Sequence, residues 1–344
     1  MSRLGVAVIG AGYWGPNLMR NFLASPDWDL RWSVDLDLER ARRSVSYAAD
    51  VRVSDDLADV LNDPTVDVVA VATPAATHTK VVLACLESGR HVVVEKPLAP
   101  TVEEARLLVE AAAARDLVLM LDHTYCYTPV VQHIHDLVAS GAIGDMQYFD
   151  SVRVNLGLVQ PDVDVLWDLA PHDLSILDFI LPAELRPTHI AASGADPVGA
   201  GHACIGYLTM PIGAHGVAHV HVNWLSPIKV RTTLIGGSKK MVVWDDMKPA
   251  QPLSIYDRGI EMGAIDEASK FQAQVAYRLG DMVAPSLPER EALMAMVTEL
   301  ASAIRERRPA LTDGQAGLRV IELLDAATRS LDAGGTSIPV GKAL

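Results

Sequence analysis

The stretch that most limits what this chain can fold into lies near its amino terminus: Leu4 to Ile9, then Gly10-Ala11-Gly12-Tyr13-Trp14-Gly15. LGVAVI reads as a buried strand, and the NLMRNFLAS run after the glycines reads as a helix. A G-x-G-x-x-G with a strand before it and a helix after it has a specific physical use. Gly10 permits the tight turn, Gly12 lets the backbone approach a pyrophosphate, and Gly15 allows the helix to pack close on the strand. The helix end then offers unpaired N–H groups and a favourable dipole to the phosphates. Tyr13 and Trp14 sit in the same loop and are expected to meet the same ligand.

A second strand, Leu30 to Val34, ends in Asp35, twenty residues beyond Gly15. A carboxylate at that distance suits the adenosine ribose hydroxyls and repels a 2′-phosphate, so NAD is expected rather than NADP. Asp37 reads as the cap of the next helix, and Arg40, Arg42 and Arg43 as its solvated face. A further strand, Val66 to Ala72, leads into Thr73-Pro74 and Thr77-His78. This turn should border the nicotinamide half, with Thr77 capping the helix that His78 opens and Gly89 stopping it. Strand and helix alternate as far as Asp122, which predicts a parallel, doubly wound sheet and a dinucleotide-binding domain over residues 1–122.

Within that domain Val92 to Pro100, VVVEKPLAP, delivers Glu95, Lys96 and Pro97 to the carboxyl end of a buried strand. Ligands of open parallel sheets sit outside those ends, so Lys96 can reach one while its strand holds it still. The polar crossover Asp122-His123-Thr124-Tyr125 follows, and Tyr125 is a candidate substrate residue. Residues 123–344 then form a second domain. After a helix from Pro129 to Ser140, six strands between Met146 and Trp244 follow with few helices between them, which predicts a large, open, mostly antiparallel sheet. His215, His219 and His221 share one strand face, but no Cys, Asp or Glu completes a site, so no metal is expected.

The exception in that half is VDVLWDLAPHDLSILDFIL, Val163 to Leu181, where the apolar spacing becomes helical after Asp168. Pro171 fits the first turn of such a helix. Asp168 and His172, four residues apart, converge near its start. With Lys96 they make an orienting carboxylate, a general base and a cation, the groups that oxidation of an alcohol requires. Arg153 with Asn155, and Lys229 with Arg231, pair on strand faces and suit the phosphates of a substrate. Two helices close the chain, Pro288 to Arg308 and Gln315 to Ala333, packing on the sheet or returning to the first domain.

Composition sets the outer limits. Half the 344 residues are apolar, and 29 basic residues face 43 acidic ones for a net charge of −14. That balance argues against nucleic acid and against a membrane surface, while leaving room for an anionic small molecule in a local basic pocket. Three cysteines with no paired spacing give no disulfide framework. The apolar run at the amino terminus is too short for a signal peptide, and a cytoplasmic protein is expected.

GAGYWG, ATPAATH at Ala72 to His78, EKP at Glu95 to Pro97, and the D-x-x-x-H of Asp168 and His172 together resemble the glucose–fructose oxidoreductase/inositol dehydrogenase family, Gfo/Idh/MocA. The resemblance covers essentially the whole chain. It implies an N-terminal Rossmann domain and a C-terminal α/β domain whose open sheet serves oligomerisation, as a dimer or tetramer. It also implies that Lys96, Asp168 and His172 line a sugar site beside the nicotinamide and act as catalytic residues. Two positions depart from the family's habit: Cys126 stands where many members carry arginine, and Pro171 where many carry glycine. The WDLAPHDLSILDFIL segment with NWLSPIKVR is most similar to members that act on nucleotide-activated sugars, with C3 as the carbon oxidised. A free inositol or aminocyclitol is the alternative substrate. An NAD-dependent glycosidase working by transient oxidation is the alternative reaction, and a non-enzymatic sensor ranks last because Lys96 and His172 are both present.

Overall fold

Valine-rich runs with no polar interruption form strands that are buried on both faces, as parallel sheets require. The computed structural model describes residues 2–160, 163–262 and 275–341. The chain divides into two compact units, Met1–Thr128 with Glu289–Asp325, and Pro129–Pro288 with Ala326–Leu344.

The first unit alternates strand and helix: β1 (Leu4–Ile9), α1 (Gly15–Ala24), β2 (Trp28–Val34), α2 (Leu38–Ser44), β3 (Arg52–Ser54), α3 (Leu57–Leu61), β4 (Val68–Val71), α4 (His78–Glu87), β5 (His91–Glu95), α5 (Val102–Ala113) and β6 (Leu119–Asp122). The six strands are parallel, in the order β3-β2-β1-β4-β5-β6. The order reverses between β1 and β4, which is the switch point where such sheets bind ligands. Local chemistry sets the helix starts: Asp37 accepts from Arg40 N and Thr101 from Glu104 N. Thr77 differs from expectation. It stands at the N-cap position of α4, but its hydroxyl turns to Thr73 and to the Pro74 carbonyl instead.

This unit does not end at Asp122, as the strand–helix alternation suggested. It runs through Thr128 and takes in Glu289–Asp325. The reason lies at the outer edge of β6, whose backbone groups need partners. Leu121 N donates to Thr312 O at 2.7 Å, and the Thr312 hydroxyl donates to Leu121 O at 2.7 Å. Tyr127 Oη meets the same hydroxyl at 2.8 Å. The penultimate long helix, Ala292–Glu306, is tied to β2 by the Trp28 indole, which donates to Val297 O at 2.8 Å.

The second unit is built on a mixed sheet. Its elements in chain order are α6 (Pro129–Ala139), β7 (Met146–Leu156), α7 (Val165–Ile180), β8 (His189–Ala195), β9 (Ile205–Ile212), β10 (Gly216–Asn223), β11 (Leu225–Gly237), β12 (Met241–Asp245), β13 (Leu253–Tyr256), β14 (Gly259–Met262), β15 (Val275–Arg278) and β16 (Met282–Val283). After α8 (Ala292–Glu306) and α9 (Gly314–Asp332), β17 (Ile338–Pro339) closes the set. Nine strands lie in the order β16-β13-β12-β11-β7-β10-β9-β8-β17, and the pairings are antiparallel except β10 with β7. Alternation sorts the side chains: in β10, Ala218, Val220 and Val222 are buried under α7, while His219 and His221 turn to the other face. There His221 stacks on Tyr207, with ring centroids 4.3 Å apart. Among the described residues no helix is long and apolar enough to cross a membrane.

Thr312 closes the β6 edge from a buried position, so Thr312→Val should strand Leu121 O and Tyr127 Oη. Urea unfolding is expected to show a loss of about 1–3 kcal/mol.

Candidate active site

The glycine loop is shaped by backbone proximity. Gly10 adopts φ +97°, and a Cβ there would fall 2.5 Å from Ala72 O. A Cβ on Gly15 would fall 1.9 Å from Gly10 O, so only glycine lets α1 come this close to β1. Gly12 differs: a Cβ there would meet nothing within 4 Å, so the loop is open on the side where a phosphate would approach. Tyr13 is 92% exposed at the loop's tip.

Asp35, at the end of β2, holds this loop. Its Oδ2 accepts from Ala11 N at 2.8 Å and its Oδ1 from Asp37 N at 2.9 Å. Each carboxylate oxygen keeps a second lone pair, which a ribose hydroxyl can use. A cleft of about 610 Å³ opens beside it, lined by Ala11, Pro16, Asn17, Arg20, Arg40, Arg43, Ser44 and Tyr47. Arg40 and Arg43, which the spacing put on a solvated helix face, line that cleft. Arg40 Nη1 lies 3.7 Å from Asp35 Oδ1.

At the far side of the switch point, His78 is buried between two carbonyls. Nδ1 lies 2.8 Å from Pro97 O and Nε2 2.8 Å from Thr73 O. Burial pushes the imidazole's pKa down, against the pull of both carbonyls. His78 thus joins the Thr73-Pro74 turn to the EKP turn from beneath. The Lys96–Pro97 peptide is cis. Lys96 N donates to Glu95 Oε2 at 3.2 Å, and Glu95 pairs with Asp122 across β5 and β6. Asp122, 3% exposed, takes the Trp14 indole N–H on Oδ2 at 2.6 Å and the Thr124 hydroxyl on Oδ1. Asp122 was read from sequence as the domain limit and the first residue of the polar crossover, with no role of its own. Tyr125 is half-buried in the short turn after it.

In the second unit, α7 begins earlier than the spacing predicted. Asp164 caps it by accepting from Trp167 N at 2.9 Å, so Asp168 lies in the first turn and Pro171 inside the helix. Asp168 and His172 are one turn apart on the same side, as four-residue spacing dictates. Asp168 Oδ2 accepts from Trp224 Nε1 at 3.0 Å. Trp224 is buried in the bend between β10 and β11, edge-on to His202, and had no role in the sequence reading.

Behind His172 lies a buried ion pair. Arg153 Nε is 2.7 Å and Nη2 3.1 Å from Asp173, which also accepts from the Ser151 hydroxyl at 2.7 Å. Arg153 is 3% exposed. The sequence offered it to a substrate phosphate. The fold commits it to Asp173, because an uncompensated carboxylate at that depth would be costly. Asn155 is half-buried and Lys229 exposed, while Arg231 pairs with Asp246 at 3.3 Å. The structure thus gathers the glycine loop, Asp35, Thr73, His78, Glu95, Lys96 and Asp122 within one unit. Asp168, His172, Asn155, Lys229 and Arg231 belong to the other.

Such a strand order, glycine loop and terminal carboxylate define a dinucleotide-binding oxidoreductase fold. Comparison with known proteins agrees. Residues 4–123 match the family model described as an oxidoreductase family with an NAD-binding Rossmann fold. That segment belongs to the Gfo/Idh/MocA family, and the chain is an oxidoreductase. It is 28% identical over 302 residues to UDP-N-acetylglucosamine 3-dehydrogenase of Acidithiobacillus ferrooxidans, covering 82% of this chain and 84% of that one. Its similarity to inositol 2-dehydrogenase of Mycolicibacterium smegmatis is 28% identity, over 68% and 70% of the two chains. The solved structure of the A. ferrooxidans enzyme superposes with a TM-score of 0.81 at 25% identity, covering 97% of this chain and 99% of that one. GenD2 from gentamicin A biosynthesis, in complex with NAD, superposes with a TM-score of 0.81 at 26% identity, covering 99% and 97%.

The Arg153–Asp173 pair makes a prediction that separates structure from binding. Arg153→Met leaves a buried carboxylate and is expected to cost about 3–5 kcal/mol in denaturant unfolding. A phosphate ligand would instead raise KM and leave stability unchanged.

Proposed function

We propose that this protein is an NAD-dependent dehydrogenase that oxidises the 3-hydroxyl of a nucleotide-linked hexose, with a UDP-N-acetylhexosamine as the substrate class. The observation that carries this reading is the similarity to a UDP-N-acetylglucosamine 3-dehydrogenase along almost the full length of both chains. The geometry supports it at the cofactor half. The open backbone over Gly12, Asp35 beside it and the adjoining cleft suit NAD, with Asp35 opposing a 2′-phosphate. Tyr13, Trp14, Thr73, Pro74, His78, Glu95 and Pro97 shape the remainder of the cofactor site.

In this reading His172 takes the hydroxyl proton of the carbinol; bound NAD would supply the hydride acceptor. Asp168 orients His172 and stabilises its charged form, while Trp224 fixes which carboxylate oxygen is turned away. Lys96 supplies the cation that stabilises the developing alkoxide. Lys229 and Arg231 serve the diphosphate, with Asn155 and Tyr125 on the sugar; Arg153 has no part in it. The sheet face bearing Tyr207, His219 and His221 makes the homo-oligomer, and Tyr207 and Val217 are 40% and 43% exposed there. Three free, buried cysteines accord with a cytoplasmic location. The inositol dehydrogenase similarity supports a second reading, a free cyclitol as substrate, in which Lys229 and Arg231 have no anion to bind.

Two measurements test this. Lys96→Ala and His172→Ala should each lower turnover about a hundredfold or more, while the Kd for NAD stays within a few-fold. Loss of NAD binding instead would show that these residues serve the cofactor. Turnover of UDP-N-acetylglucosamine, with product oxidised at C3 and little activity on myo-inositol, is expected; the opposite preference would replace this substrate with the cyclitol.

A further inference from the structure

A carboxylic acid directly precedes the catalytic lysine proposed above, and its surroundings are unusual. Glu95 ends β5, and its register partner on β6 is Asp122. Glu95 keeps some solvent exposure as a residue, but its Oε1 is out of solvent and finds no donor. The neighbouring carboxyl is that of Asp122, its register partner on the adjacent strand. Two carboxylates are acceptors only, and two acceptors in contact are satisfied when one of them carries a proton.

The surroundings also decide which one carries it. Asp122 holds two donors, the Trp14 indole N–H on Oδ2 and the Thr124 hydroxyl on Oδ1. Its oxygens are thus already supplied with donors. Glu95 receives one, the backbone N–H of Lys96 on Oε2. Burial first, then the Asp122 charge and the contact with it, hold the Glu95 carboxyl well above the usual carboxylate range, outweighing Lys96. The other titratable groups nearby are differently engaged: His78 is turned to the carbonyls of Pro97 and Thr73, and His123 follows Asp122 from a buried position.

We propose that Glu95 and Asp122 share one proton, with Glu95 the neutral acid, and that the pair is a positioning device for Lys96. Asp122, anchored through Trp14, ties the glycine loop to the end of β5. Neutral Glu95 braces the Lys96 backbone without placing a second negative charge beside its ammonium. The lysine charge is thereby kept for the substrate oxygen. This last step rests on the dehydrogenase reading; the shared proton does not.

The test therefore begins without substrate. A carboxyl that stays protonated in the folded state but ionises in the unfolded chain makes folding weaken as pH rises above its unfolded value, until the folded value is passed. Glu95→Gln keeps the donor and removes the titration. The folding equilibrium constant of Glu95→Gln relative to the unaltered protein should rise by up to about tenfold per pH unit between pH 5 and pH 8. A ratio that stays flat overturns the shared proton. Infrared spectroscopy provides a second readout in case that variant fails to fold. The unaltered protein at neutral pH should show a protonated-carboxyl stretch that moves or vanishes in Asp122→Asn; no band, or one that Asp122→Asn leaves untouched, overturns it. The positioning role is read from the pH profile of kcat, whose alkaline limb should move to higher pH in Glu95→Gln. An unmoved limb together with a rising stability ratio would leave the proton in place and refute the role at Lys96. Absence of dehydrogenase activity in the unaltered protein would refute the substrate reading alone.

Discussion

The first unit depends on one close approach of three backbone segments. At the end of β1, Gly10 N donates to Val34 O at 2.7 Å, and Ala72 N donates to Ile9 O at 2.7 Å. Side chains at Gly10 or Gly15 would collide with backbone at 2.5 Å or less. The strand after the switch point and the strand before it are thus both locked to β1 within one peptide of the loop. That lock sets Asp35 on one side of the crevice and the Thr73 turn on the other. The Asp35 side chain also closes onto Ala11 N, so the end of β2 and the glycine loop are tied together.

The second unit uses buried polar contacts for the same end. Helix α7 carries Asp168 and His172, and two contacts set its placement on the sheet. Asp173 meets Arg153 and Ser151 below, and Asp168 meets Trp224 at its start. An apolar helix face can slide or rotate on an apolar sheet at modest cost. A buried charge pair cannot, because moving it by one residue would leave both charges unpaired. The price in folding stability of burying Arg153 is thus linked to the orientation of the neighbouring His172.

Much of the fold was legible because its signals are local. The unbroken apolar strands, the alternation in β10, the Gly89 stop and the Asp37 cap each concern a few adjacent residues. The start of α7 was misplaced because Pro171 favours a first turn and several aspartates precede it; the cap is Asp164. The domain limit at Asp122 also misled, since the edge of β6 is closed by Thr312, almost two hundred residues later. Arg153 is the sharpest case. A strand arginine looks the same in sequence whether it waits for a phosphate or is spent on a carboxylate twenty residues away.

The sequence by itself determined the class of sheet, the glycine loop, the carboxylate at the end of β2 and the oxidoreductase family that residues 4–123 match. These follow from periodicity and from glycines whose spacing has few physical alternatives. Only the tertiary structure decided which charges face one another: Arg153 with Asp173, Trp224 with Asp168, and Glu95 with Asp122. Burial and pairing set whether such a group is charged, and both come from residues that are neighbours in space and distant along the chain.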